Sequence, residues 1–220
     1  MSGAFSEMVE TSLERAAMSK DLASLTDSLK TRNLQLQDAR RQLAEQATID
    51  EMTGLRNRRG VKIIINDELA RMKRMQLPIA VIALDVDHFK TYNDNYGHPA
   101  GDQVLQELAN VMLEMTSRAG EFAARMGGEE FVLFYPTVNR TAALELAEEL
   151  RMKVLGLKIP HEKSLTAKYV TVSIGVISCV PEWELEFDTL LKAADDALYL
   201  SKTSGRNRVT CGELEASDTS

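Results

Sequence analysis

The chain has 220 residues, of which 44% are hydrophobic and 27% charged. That balance excludes a disordered polymer and a bundle of membrane spans, and it leaves room for one core-bearing domain with a stalk and a tail. The formal net charge of −7 argues against nonspecific binding to a nucleic-acid backbone, although a few converging cations can still hold a polyphosphate.

From about Ser12 to Gln46 there is no Pro or Gly, and strong helix formers dominate. Leu22, Leu29, Leu36 and Leu43 recur every seventh residue, with Met18, Leu25 and Ala39 on the companion row. Arg32 and Gln46 interrupt that row. The pattern predicts a long helix. A dimeric coiled coil is favoured over an amphipathic helix packed on its own domain, because the polar faces are extensive. The polar stretch Asp50–Gly60 then marks a boundary, which divides the chain into a stalk (1–49), a domain (50–211) and a frayed tail (212–220).

Beyond the boundary the periodicities alternate. Val61, Ile64, Ile65, Leu69, Met72 and Met75 form a helical stripe that Pro78 stops, and Ile79–Leu84 is a short apolar strand ending at Asp85. Val104, Leu105, Leu108, Val111, Met112 and Met115 form a second stripe. Phe122–Arg125 and Glu130–Tyr135 read as strands around a turn at Met126–Glu129. A helix over Leu144–Leu155, a strand over Val170–Val176 and a last helix from Phe187, stopped near Gly205, complete the order. A hairpin in the middle rules out a purely parallel sheet. The fold class is α+β, with helices packed on a mixed sheet.

Four segments carry candidate chemistry. Asp85 and Asp87 follow a buried strand, where a carboxylate can be held rigidly for a metal; Asp87 reads equally well as a helix N-cap. Gly127-Gly128-Glu129-Glu130 places two carboxylates at a turn whose glycines let a ligand approach the backbone. If that hairpin lies beside the Asp85 strand, Asp85 and Glu129 face one spot, and hard oxygen donors suit Mg²⁺. Lys202 and Arg206 stand four apart at the end of the last helix, placed on one face either to clamp phosphates or to complement the helix C-terminus. The loop Asn93–Asp102 offers amide and carboxylate groups that match the edge of guanine, or else plain turn chemistry with an N-cap at Asp102.

Absences narrow the field further. No phosphate-binding G-x-x-x-x-G-K-[ST] loop, nucleophile elbow or His-Glu-x-x-His occurs. The three histidines are dispersed in sequence, which argues against a histidine-based site. Cys179 and Cys211 match no zinc spacing, and neither a spanning run nor a signal peptide is visible. A cytoplasmic protein with no membrane segment in this chain is expected, and a sensor further upstream is left open.

Taken in order, these segments resemble the GGDEF family. The marks are Asp50…Thr53-Gly54-Leu55-Arg56-Asn57-Arg58-Arg59, then Asp85-Val86-Asp87-His88-Phe89-Lys90…Asn93-Asp94…Gly97-His98…Gly101-Asp102. They continue through Arg125-Met126-Gly127-Gly128-Glu129-Glu130-Phe131 and Val172-Ser173-Ile174-Gly175-Val176 to Ala193…Asp196-Ala197-Leu198-Tyr199…Lys202…Gly205-Arg206-Asn207. The resemblance implies a nucleotide-cyclase-like fold, with a ferredoxin-like central sheet wrapped by helices and preceded here by the long N-terminal helix. It implies a diguanylate cyclase that condenses two GTP into cyclic di-GMP and releases two pyrophosphates, in a dimer of half-sites joined through the N-terminal helix.

By position, Asp85, the Val86 carbonyl and Glu129 are the implied Mg²⁺ ligands, with Mn²⁺ as a substitute. Glu129 or Glu130 would assist deprotonation of the attacking hydroxyl. Lys90, Lys202 and Arg206 would meet phosphate charge. Phe89, Gly127 and Gly128 would border the nucleotide, and Asn93, His98 and Asp102 would read its base. Members with feedback control carry Arg-x-x-Asp ahead of the signature. Here the residues are Arg118-Ala119-Gly120-Glu121, so Arg118 and Glu121 mark a possible inhibitory site with a longer acid. A silent module that senses GTP or cyclic di-GMP is the alternative reading.

Overall fold

The computed structural model describes Met18, Thr26, residues 29–37 and residues 47–214. The chain divides into two compact units, Met1–Ala47 and Thr48–Ser220. In the first, residues 29–37 are helical (α1), and Leu29 and Leu36 are exposed. Leu22, Leu25, Ala39, Leu43 and the tail beyond 214 lie outside the described residues.

The second unit is a mixed sheet of six strands in the order β1-β3-β4-β2-β5-β6. Its strands are β1 (Arg56–Asn57), β2 (Ile79–Val86), β3 (Phe122–Gly127), β4 (Glu130–Pro136), β5 (Val172–Cys179) and β6 (Val209–Cys211). The helices between them are α2 (Arg58–Met75), α3 (Phe89–Tyr96), α4 (His98–Met115), α5 (Arg140–Gly156) and α6 (Phe187–Thr203). β2 is central and buried along all eight residues, flanked by antiparallel β4 and β5. An apolar strand that alternates onto two covered faces must be apolar throughout, which is why Ile79–Leu84 shows no period of two.

The two faces hold separate cores. Leu84, Leu105, Leu108, Met112, Leu133 and Ile174 lie under α4 and α5. Val61, Leu69, Met72, Val81, Phe134 and Leu190 lie under α2 and α6. α6 sits so close to β5 that a side chain at Gly175 would strike the Ala194 carbonyl and the Leu198 amide. Both obstacles are backbone, so neither can swing aside. Gly175→Ala is therefore expected to cost about 3 kcal/mol, read as a fall in the urea midpoint with unchanged slope.

Several expectations are corrected at the element ends. Asn93–Asp102 is not a loop: Asn93 lies on α3, and α4 already starts at His98, so Asp102 is inside a helix. Gly97, at φ 86°, is the sole break between the two helices. Asp87 does not cap α3. His88 holds that position, in the left-handed region and with no capping bond from its side chain, which instead meets the Thr166 hydroxyl at 3.0 Å. α6 stops at Thr203, so Arg206 sits in the loop beyond it and not on a helix face shared with Lys202. β1 and β6, two and three residues long, extend the sheet at its edges.

Candidate active site

The site forms where β2 ends beside the β3–β4 turn. Antiparallel pairing puts Asp85 directly across from Glu130. Gly127 and Gly128, both at positive φ, close the turn and leave the Cβ direction open. Glu129, half-buried, and Glu130, exposed, follow directly after the two glycines.

The turn is fastened from outside. The Arg125 Nε donates to the Gly128 carbonyl at 2.9 Å, and its Nη1 reaches the Asp50 carboxylate at 3.2 Å. Asp50 is itself built into the boundary turn, accepting from the Thr53 amide at 3.0 Å and the Thr53 hydroxyl at 2.7 Å. Burial works against its charge, but these bonds outweigh it and hold its carboxyl below the usual range.

Asp85 is 8% exposed and ion-paired with Lys202 at 2.8 Å. Burial pushes its carboxyl up to about 6; Lys202 opposes that rise, and Glu129 and Glu130 add to it. Three acids with one partly offsetting ammonium make a place short of positive charge. That deficit and the oxygen-only donor set fit a hard divalent cation, which Asp85 and Glu129 could hold together with the Val86 carbonyl. Among the described residues no group of three His, Cys, Asp or Glu side chains stands ready as a metal cage. Mg²⁺ commonly uses one or two carboxylates and takes its other ligands from phosphates and water.

A second group of candidate residues lies on α3 and α4. Asn93 Oδ1 is buried and has no hydrogen-bond partner, an orphan acceptor that a ligand donor would satisfy. It rests where a Cβ on Gly101 would be, so the helix crossing that presents Asn93 requires glycine there. Asp102 and His98 are exposed on the first two turns of α4. Lys90 is exposed on the first turn of α3, while Phe89 is buried and packs 6.4 Å from Tyr92. Lys202 reaches Asp85 from α6, and Arg206 stands in the loop after that helix, where its charge helps lower the His88 pKa, which burial lowers most. Arg118 and Glu121 stand apart, at the β3 entry. There the Glu121 Oε2 accepts from the Arg118 amide at 3.0 Å.

Three features were not readable from sequence. Asp87 belongs to a buried network with β5 and the 205–208 loop. Arg151 on α5 reaches that loop, donating to Asn207 Oδ1 at 2.6 Å. The histidines expected to be dispersed include a contacting pair: His161 is 1% exposed, packs edge-on against Tyr92 at 5.2 Å and approaches the His88 carbonyl at 3.3 Å. All three join segments more than 50 residues apart, which no local spacing signals.

Comparison with known proteins gives one consistent answer. The family described as "Diguanylate cyclase, GGDEF domain" matches residues 47–208. Response regulator PleD of Caulobacter vibrioides is 38% identical over 165 residues, covering 75% of this chain and 36% of that protein. The chain thus spans about a third of that relative's length. Among solved structures, the coiled coil and GGDEF domain of DgcB from Caulobacter crescentus, in complex with c-di-GMP, superposes with a TM-score of 0.68 at 32% identity, covering 86% of this chain and 98% of that one. The active GGEEF domain of a diguanylate cyclase from Vibrio cholerae gives 0.62 at 31%, covering 72% and 98%.

Proposed function

The chain belongs to the GGDEF family, and from that membership we propose that it is a diguanylate cyclase, joining two GTP into cyclic di-GMP with release of two pyrophosphates. The observation that carries the reading is the convergence of Asp85, Glu129 and Glu130 beside Lys202, in a chain that keeps both signature glycines.

The residues divide the work as follows. Asn93 and Asp102 hold the guanine edge, with His98 on the same rim and Phe89 setting the floor of α3. The open backbone at Gly127 and Gly128 lets the triphosphate lie against the turn. Lys90, Lys202 and Arg206 meet the charge that builds on the α-phosphate and the departing pyrophosphate. Glu129 or Glu130 takes the proton of the attacking 3′-hydroxyl. Magnesium at Asp85, the Val86 carbonyl and Glu129, replaceable by manganese, would acidify that hydroxyl and neutralise phosphate charge.

One domain presents one GTP, so the reaction needs two copies. The heptad leucines and the likeness to a structure of coiled coil and GGDEF domain support dimerisation through the N-terminal helix, which raises the effective concentration of each half-site for the other. Product analysis tests the whole reading: purified chain, GTP and Mg²⁺, with nucleotides identified by mass. Cyclic di-GMP is the expected product. A dimer that binds GTP and makes none would shift the assignment to a silent nucleotide sensor.

Two predictions follow from particular contacts. An Asp at position 102 accepts from the guanine N1–H, which adenine lacks. Asp102→Ser should therefore narrow the preference for GTP over ATP by about tenfold in kcat/KM, and unchanged selectivity would count against the assignment. At the candidate inhibitory site, Glu121 is turned back onto the Arg118 amide and leaves the shorter-armed pattern of feedback-controlled members unmatched. Initial rates should stay flat as cyclic di-GMP is added, and Arg118→Ala should leave them so; tight product binding that Arg118→Ala abolishes would overturn this.

A further inference from the structure

We propose that Asp87 is a positioning residue, acting on the reaction through Arg206 and touching neither substrate nor metal. The inference rests on the cyclase reading above and adds a residue to its machinery.

Asp87 is 2% exposed. Its Oδ1 accepts from the Ser173 hydroxyl at 2.6 Å, and its Oδ2 from the Thr171 hydroxyl at 2.7 Å and the Asn207 amide at 3.0 Å. Its own amide donates to the Thr171 carbonyl at 2.9 Å. The carboxylate is thus fully engaged two residues beyond Asp85, facing β5 and the loop after α6, away from the acids at the turn. Bonds of this kind, with an ionised acceptor, are shorter and about twice as strong as neutral ones.

What Asp87 holds is a conformation that does not hold itself. Arg206 (φ 64°) and Asn207 (φ 46°) are consecutive non-glycine residues in the left-handed region. Such a pair persists only where its surroundings over-determine it. Here the fastenings surround Asn207: its amide to Asp87, and its Oδ1 from Arg151 at 2.6 Å, with Arg151 braced by Glu148 at 2.6 Å. The Arg206 amide also bonds the Ser201 carbonyl at 3.0 Å, and the Ile174 amide the Arg208 carbonyl at 2.9 Å. Without the Asp87 acceptor, the Asn207 amide faces a buried site with no partner, and the left-handed pair loses its central anchor. The end of β2 thereby places both cations, Lys202 directly through Asp85 and Arg206 indirectly through Asp87.

The test uses the full chain with Asp87→Asn, Arg206→Ala and the double variant. Asparagine keeps the size of the side chain but turns an amide donor toward donors. Asp87→Asn should lower kcat on the order of 10²-fold while KM for GTP moves within about threefold, as displacement of a transition-state group does. In the Arg206→Ala background the same change should cost no more than about twofold. Amide exchange across 204–208 should quicken at least about tenfold, with 79–84 in β2 as protected as in the parent. Additive losses in the cycle, or unaltered exchange at 204–208, overturn the proposal. If the parent makes no cyclic di-GMP, the cyclase reading falls by itself and the exchange result alone decides the role of Asp87. If Asp87→Asn does not fold, Arg151→Ala releases the same loop from its other side. It should show the same exchange change and the same coupling to Arg206, and absence of both overturns the proposal.

Discussion

Glu129→Ala should reduce cyclic di-GMP formation by at least about 10³-fold and leave the fold intact. The two halves of that result have separate causes. The turn is shaped by Gly127, Gly128 and the Arg125 bond to the Gly128 carbonyl, none of which involves the Glu129 side chain. Stability should therefore stay within about 0.5 kcal/mol of the parent, as for other substitutions of this exposure. The carboxylate, by contrast, is one of only two side-chain oxygen donors assigned to the cation. Its loss leaves Asp85 beside Lys202 and little to hold a metal–triphosphate pair. Steady-state rates, with thermal unfolding of the same preparations, read both halves. A variant that retains more than about a tenth of the parent rate would remove Glu129 from the metal site and leave Glu130, across the sheet from Asp85, as the acid to examine.

Asp85→Asn should show the opposite signs for activity and stability. Activity falls by at least about 10³-fold for the same reason. Stability of the metal-free protein rises. In the native chain the Asp85 carboxyl is pushed up to about 6, above its ordinary value of 3.8. The native state therefore binds the proton more tightly than the unfolded chain does. That stabilisation is fully present below about pH 4 and is lost as pH rises through about 6. Asparagine has no charge to bury, so it escapes the loss, less whatever the ion pair with Lys202 contributed. The unfolding free energies of the two proteins should coincide near pH 4 and separate to roughly 2 kcal/mol above pH 7, the variant being the more stable. Adding Mg²⁺ and GTP should raise the parent toward the variant and leave the variant where it was. A separation that does not grow with pH would show that burial of Asp85 is not the cause.

The sequence made the domain legible where a single element carries a full period. The stripes of α2, α4 and α6 and the continuous apolar run of β2 were visible because each buries a face long enough to repeat. β1 and β6 are too short to show any period, and they are strands only because β3 and β5 offer edges to pair with. The α3–α4 junction was hidden by its own composition. Asn, Asp, Gly and Pro suggest a loop, yet Pro99 sits in the first turn of α4, where its missing amide costs nothing. At the site, Asp85 and the signature acids stand out because a strand end and a glycine turn are local signs. Asp87 stood out as a second strand-end acid without its partners being visible, and Arg151 and His161 gave no sign, because their contacts are made with segments distant in sequence. Arg206 was expected on a helix face shared with Lys202, because four-residue spacing assumed a helix that had already ended.

The fastening of the signature turn through Arg125 to Asp50 also makes the front edge of the domain a mechanical part. Thr48 accepts from the Asn57 amide at 3.0 Å, and Asn57 stands beside Arg125 in the parallel pairing of β1 and β3. Two routes thus run from residues 48–50 to one arginine, and from that arginine to the carbonyl of Gly128. Glu129 follows Gly128 directly in the chain, so the turn and its first acid share that support. An input at residues 48–50 would bear on the turn as a peg bears on a string, with no ligand needing to enter between the acids.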